Sequence, residues 1–145
     1  MKSLADELEK ILQVADTLRS IDDHKASIRP AANKWSKKEI LGHLIDSATN
    51  NHQRFIRMQL APRLELPGYQ QNEWVRLQHY QDNPWSAIVD LWQLYNAHLA
   101  TVIRHVDPNF LRNKWRAPDG EDVDLEFVVR DYLVHMQHHL DQIFG

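Results

Sequence analysis

The sequence predicts an all-α protein, a four-helix bundle with long connections after its second and third helices, folded as one domain over residues 1–145. Three observations carry this expectation. Four stretches repeat apolar residues at intervals of three and four, the period of an amphipathic helix. No stretch alternates apolar and polar residues convincingly enough for a strand. A chain of 145 residues also suffices for one core of useful size, and no Pro/Gly/Ser-rich linker divides it.

In chain order, Leu4, Leu8, Ile11, Leu12, Ala15 and Leu18 form the stripe of a first helix from residue 3 to about 20. Residues 22–34 carry charges and Pro30 without a period, so they read as a connection. Ser36-Lys37-Lys38-Glu39 is a capping box, in which serine hydroxyl and glutamate carboxylate each accept from the other residue's amide; it opens a second helix reaching about Leu60. Leu41, Leu44, Ala48 and Phe55 are its core edge. The stretch Ala61 to Asn83, with Pro62, Pro67-Gly68, Tyr69 and Trp74, is too long for a tight turn. It is a candidate to fold over the mouth of a site, with a short helix around Glu73 to Gln78. Asn83-Pro84 supplies an N-cap and a first-turn proline for the third helix, whose wide apolar face runs from Ile88 through Trp92 and Leu99 to Ile103. His98 and His105 on it are expected to be structural or solvent-exposed, and Asp107-Pro108 ends it. Phe110 to Asp122 reads as irregular, with a turn at Gly120. Asp124 then caps a fourth helix whose core edge is Val129, Leu133, Met136, Leu140 and Ile143.

Composition excludes several classes of function. There is no cysteine, so a transition-metal site here must use nitrogen and oxygen ligands, and any thiol nucleophile must come from outside the chain. Seventeen basic against twenty acidic residues, with no basic block, argue against nucleic acid as a partner. No apolar run reaches membrane-spanning length, and charges occupy the N-terminal positions where a signal peptide would be apolar; a cytoplasmic protein is expected.

The chemistry concentrates on two helix faces. His135 and His139 lie four apart, so their imidazoles stand one above the other and can converge on one ion. Two histidines are one short of the three-ligand, open-position arrangement of a catalytic metal. On the second helix His43, Ser47, Asn50 and Arg54, at offsets of four, seven and eleven, share a polar face beside the apolar one, with Asp46 at its flank. Tyr132, His135, His139 and Gln142 run beside the apolar edge of the fourth helix in the same way. If the two helices pack together, both stripes line one cleft, and His43 is the natural third ligand. Asp46 is then a base or a partner orienting a histidine, Ser47 and Asn50 hydrogen-bond a ligand, and Arg54 engages a carboxylate. His138, one position off the ligand face, and Gln142 are candidates for a supporting role. No paired Glu-x-x-His motifs exist, which argues for a single ion and against a di-iron carboxylate bundle.

Trp35-Ser36, Glu39, His43-Leu44, Asp46-Ser47, Asn50 and Arg54-Phe55, followed by Pro67, Tyr69 and Trp74, closely resemble the first block of the DinB-like superfamily, particularly its YfiT-like branch. Tyr132, His135, His138-His139 and Gln142-Ile143 resemble its final helix. The resemblance implies an up-and-down bundle with a long crossover, often a homodimer, holding a divalent metal on His43, His135 and His139. Zinc or nickel, then iron or manganese, are the expected metals. It further implies a metal-dependent transferase adding a low-molecular-weight thiol to electrophilic small molecules, with Tyr69, Trp74 and Tyr132 joining the substrate site. A metal-dependent hydrolase using a metal-bound water, or a non-catalytic metal-stabilised bundle, are the alternatives. The loop Gln70-Gln71-Asn72-Glu73 departs from the family, where acidic residues are more frequent.

Overall fold

The computed structural model describes residues 1–145. Its helices are α1 (Lys2–Leu12), α2 (Ala15–Arg19), α3 (Asp23–Ser27), α4 (Lys37–Arg57), α5 (Gln71–Gln78), α6 (Trp85–Arg104) and α7 (Leu125–Phe144). Three short strands, β1 (Arg63–Leu64), β2 (Lys114–Arg116) and β3 (Asp122–Asp124), form a small sheet of order β1-β2-β3, parallel then antiparallel.

Four of the helices make the bundle. α4 packs against α6 and α7, and so does α1, which leaves α1 diagonal to α4 and α6 diagonal to α7. Chain order therefore crosses the bundle twice, from α1 to α4 and from α6 to α7. A diagonal step needs more chain than a hairpin, which accounts for the long connections there. The α4–α6 connection joins neighbours and is long for another reason: its helix α5 and the turn after it pack on α4. One continuous core fills the interior, with Leu8, Leu18, Leu41, Phe55, Trp92, Leu99 and Met136 among its fully buried members. No helix is long and apolar enough to cross a membrane.

The expected caps form. Ser36 Oγ accepts from the Glu39 amide at 3.2 Å and Glu39 Oε1 accepts from the Ser36 amide at 3.1 Å, while Asp124 accepts from the Phe127 amide at 2.9 Å. Lys37 Nζ donates to the Ile143 carbonyl, tying the start of α4 to the end of α7. This antiparallel pairing brings His43, two turns into α4, beside the last turns of α7.

Several expectations need correction. The first helix breaks after Leu12, where Gln13 and Val14 flatten into a tighter turn with amides bonded to the Lys10 and Ile11 carbonyls. The change of direction still buries both Ala15 and Leu18. Residues 22–34 contain a short helix, α3, capped by Asp22. The N-cap of α6 is not Asn83: the Trp85 amide donates to Asp23 Oδ1 at 2.8 Å, so a carboxylate from α3 caps the helix across the chain. Phe110 to Asp122 is not irregular throughout, because Lys114–Arg116 and Asp122–Asp124 form a hairpin around Gly120, whose φ is 88°. Strands of two and three residues are too short for alternation to reveal.

Candidate metal centre

Three imidazoles meet between α4 and α7. His43 Nε2 and His135 Nε2 are 3.1 Å apart, and one ring nitrogen from each of His43, His135 and His139 lies within 4.8 Å of the others. For comparison, a tetrahedral ion with metal–nitrogen bonds near 2.05 Å sets its ligands about 3.3 Å apart. The rings stand edge to face, with centroids 4.6 to 5.0 Å apart. The nitrogen separations show that one ring nitrogen of each histidine is turned to a common centre.

Protonation favours ligation. Burial, reinforced by the other two histidines, pushes His43 down to about 3, and burial with His139 and His138 pushes His135 down to about 4. His139 is lowered as well, by burial first, with its hydrogen bond to Gln142 opposing. All three are neutral near pH 7, the form a metal requires. Gln142 Oε1 accepts from His139 Nδ1 at 2.8 Å, which leaves the Nε2 lone pair free to face the centre. Trp35 lies over His43, centroid to centroid 4.9 Å, and closes that side. A cavity of about 470 Å³, bounded by Lys34, Trp35, Gln71, Asn72, His139 and Gln142, reaches the triad at His139. The neutral all-nitrogen donor set, the converging ring nitrogens and the adjoining cavity fit a divalent ion with an open position.

Below the triad, the remaining residues divide into those the fold gathers and those it takes elsewhere. Asp46 is fully buried, and its Oδ1 accepts from Tyr80 Oη at 2.7 Å and Gln78 Nε2 at 2.9 Å. Burial raises its carboxyl above the ordinary range, while those two hydrogen bonds pull the other way. Its hydrogen bonds therefore go to the connection, not to a histidine. Its Oδ2 and His43 Nδ1, one turn apart on α4, are both buried without partners. Tyr80 reaches Asp46 by lying across Gly42, where a β-carbon would stand 2.1 Å from the ring. Only glycine admits that approach.

Further along, Tyr69 stands near Asp46, Ser47 and Arg54, and burial raises its hydroxyl pKa. Trp74 packs edge-on against Tyr69 at 5.3 Å. Arg54 is buried, its guanidinium 3.9 Å from the centroid of Trp115 and its Nη1 donating to Asn51 Oδ1 at 3.1 Å. Asn50 is displaced from its expected role, since its amide bonds back to the Asp46 carbonyl at 2.8 Å. Asn51 takes the inward position and bonds the Ser47 carbonyl. Tyr132 is not in the cleft: it is buried in the core against Phe55, with its hydroxyl on Asn96. His138 is exposed and meets Gln142 Nε2 at 3.2 Å. Sequence reasoning missed Trp35, Asn51, Gln78, Tyr80 and Trp115 as parts of the site. Of these only Trp35, directly before the capping box, had a local signal.

A four-helix bundle with three converging histidines and a roofed cleft defines a class of metal-site bundle. The chain belongs to the DinB superfamily, whose family model matches residues 7–143. It is 24% identical over 127 residues to the Halalkalibacterium halodurans protein named "Putative metal-dependent hydrolase BH0277", a match covering 86% of this chain and 72% of that one. Its fold is similar to YfiT from Bacillus subtilis, described as a probable metal-dependent hydrolase with an unusual four-helix bundle topology. There the TM-score is 0.82 at 20% identity, over 99% of this chain and 81% of that one.

Proposed function

We propose that the protein is a metal-dependent enzyme acting on small molecules, and that its reaction is transfer of a low-molecular-weight thiol to an electrophile. The reading rests on one observation, the 3.1 Å approach of two neutral histidine nitrogens, that of buried His43 and that of half-buried His135, beside a third. A divalent ion held by His43, His135 and His139 supplies Lewis acidity, which lowers the pKa of a thiol or water at its open position. The chain's own residues do the rest. Gln142 fixes the tautomer of His139, and Trp35 keeps water from one side of His43. The connection carrying Gln71, Asn72 and Trp74 borders the cavity or packs beside it, where the second substrate would enter. The absence of cysteine means the thiol arrives as a substrate.

Thiol transfer is preferred over hydrolysis because Asp46, the one carboxylate among the predicted catalytic groups, is fully buried and its Oδ1 already accepts from Tyr80 and Gln78. A hydrolase needs a proton carrier for its leaving group, whereas addition of a thiolate to an activated ring needs none of that strength. Hydrolysis remains the second reading, favoured by the names of the relatives.

The test is a turnover assay on metal-loaded protein, with 2-mercaptoethanol and a chlorodinitrobenzene acceptor in one arm and nitrophenyl esters without thiol in the other. Transfer predicts rate in the first arm, lost on chelation and in His43→Ala without unfolding. Rate confined to the ester arm replaces transfer with hydrolysis. No rate in either, with metal bound and unfolding on its removal, makes the triad a structural clamp.

A further inference from the structure

Arg54 is the feature of the cleft that the metal centre leaves unexplained. It is only 8% exposed, yet no carboxylate lies within ion-pair distance of it. A buried cation without a counter-ion costs several kcal/mol unless something compensates it. Within the protein its one hydrogen bond runs from Nη1 to Asn51, and Nε is buried without a partner. Nη2 makes no hydrogen bond either, so the Nε/Nη2 edge is the unpartnered one. Elsewhere in this chain that same edge clasps carboxylates: Arg29 on Glu39 at 2.7 and 3.0 Å, Arg19 on Asp90 at 3.1 and 2.7 Å, and Arg76 on Glu73 at 3.1 and 2.8 Å. Those three sit at more exposed places, whereas Arg54 is held flat over Trp115, which is itself fixed by Nε1 donating to the Leu66 carbonyl at 2.8 Å. The Trp115 ring and the Asn51 contact hold the guanidinium in place while leaving the Nε/Nη2 edge without a partner.

We propose that Arg54, braced by Trp115 and Asn51, is a carboxylate subsite, and that the small molecule processed at the triad is a carboxylic acid. The two parallel donors of the unpartnered Nε/Nη2 edge match a planar carboxylate better than a tetrahedral anion, and a small movement of the side chain would bring the buried Nε within its reach. Tyr69 and Asp131 are the other titratable groups that act on Arg54; Asp131, on α7 one turn before His135, is exposed and too distant for an ion pair. Arg54 lies eleven positions after His43 on α4, about 16 Å along the helix, and both side chains lean the same way. A ligand joining both ends is thus on the order of 15 Å long. This last step rests on the triad being the reaction centre; the subsite itself does not.

The experiment follows the Trp115 indole N–H resonance while hexanoate, or uncharged hexanamide, is titrated into metal-depleted protein, with metal content measured on separate undepleted samples. Hexanoate is expected to shift it saturably with at least about tenfold preference over hexanamide. Arg54→Met should abolish the preference, Arg54→Lys should keep only part of it, and Asp131→Asn should strengthen it. Equal response to the two probes in the wild type, or a preference surviving Arg54→Met, overturns the subsite. Because the wild-type comparison decides by itself, misfolding of a variant does not blunt the test. Protein that never holds a metal but keeps an Arg54-dependent preference would retire the triad and leave the subsite standing; metal without preference does the reverse.

Discussion

Helix α4 meets histidines from its neighbours at two places, and they differ in what the rings do. Towards the N-terminus, buried His43 faces half-buried His135 and His139 of α7, with its Nε2 3.1 Å from that of His135. Two and a half turns later His52 meets His98 of α6 with centroids 5.5 Å apart, and its Nδ1 is already engaged with Tyr95 Oη at 2.7 Å. His98 is exposed, and burial lowers His52 without driving it to the values of His43. Proximity of rings is common to both clusters. Convergence of ring nitrogens on a common centre is confined to the first, and it, not the histidine count, is what a metal reads.

The strongest way to break the contrast is to remove one ring from each cluster. His135→Ala is expected to abolish bound transition metal, about one equivalent in the wild type, while His52→Ala retains it, as element analysis of untagged protein would show. The wild type should also lose thermal stability on chelation and the His135→Ala protein should not. Free metal at a thousand times its dissociation constant stabilises the folded state by about 4 kcal/mol. Equal metal in both variants would sink the triad.

Acid should separate the clusters next. In metal-free protein the buried histidines titrate at about 3 and about 4, against roughly 6.5 in the unfolded chain. Between those values the unfolded state binds more protons, so the contribution to stability is full above pH 6.5 and falls away as pH drops towards 4. Melting curves of chelated protein between pH 7.5 and 4.5 should therefore fall steeply, and the fall should flatten in His43→Gln but not in His52→Gln. A wild type whose midpoint ignores this range would contradict the burial of neutral imidazoles.

How the first cluster is roofed gives a third test. A methyl at Gly42 would lie 2.1 Å from the Tyr80 ring, and that ring cannot slide away freely because its hydroxyl is bound to Asp46. Gly42→Ala should cost about 1–3 kcal/mol, even though alanine favours helix by about 1 kcal/mol. Adding Tyr80→Ala should recover the loss attributable to the clash, measured as a double-mutant cycle in urea. Additive costs would show that the connection does not bear on α4 there.

These features differ in how far the sequence disclosed them. The bundle helices, and the caps of α4 and α7, were legible because these stretches are periodic and locally signalled, as at Ser36-Lys37-Lys38-Glu39 and Asp124. The placement of His43 opposite His135 and His139 was legible because two polar stripes adjoin apolar ones. The diagonal crossings, the hairpin and the capping of α6 by Asp23 were not, since each depends on residues far apart in the chain. The same holds for the roof: nothing local to Tyr80 announces Asp46, and nothing local to Trp115 announces Arg54. Asn50 and Asn51 show how narrow the margin is, because a helix face shared by side chains 100° apart does not say which of two adjacent asparagines turns inward.

The finest contrast lies in the residues that hold the rings. Gln142 accepts from His139 Nδ1, and Tyr95 is the corresponding partner of His52 Nδ1. If only the first cluster binds a metal, loosening these two contacts should have unlike consequences. Gln142→Leu should weaken metal affinity about tenfold to a hundredfold, because His139 loses both its tautomer and its ring orientation while still able to ligate. Tyr95→Phe removes one half-exposed hydrogen bond, so it should lower stability by about 1 kcal/mol or less and leave metal affinity where it was. Competition with a chromophoric chelator reads the first, and a urea midpoint the second. Unchanged affinity in Gln142→Leu would mean that packing against His43, itself covered by Trp35, and not the glutamine, aims His139, and the search for what positions it would move to the α4 side of the centre.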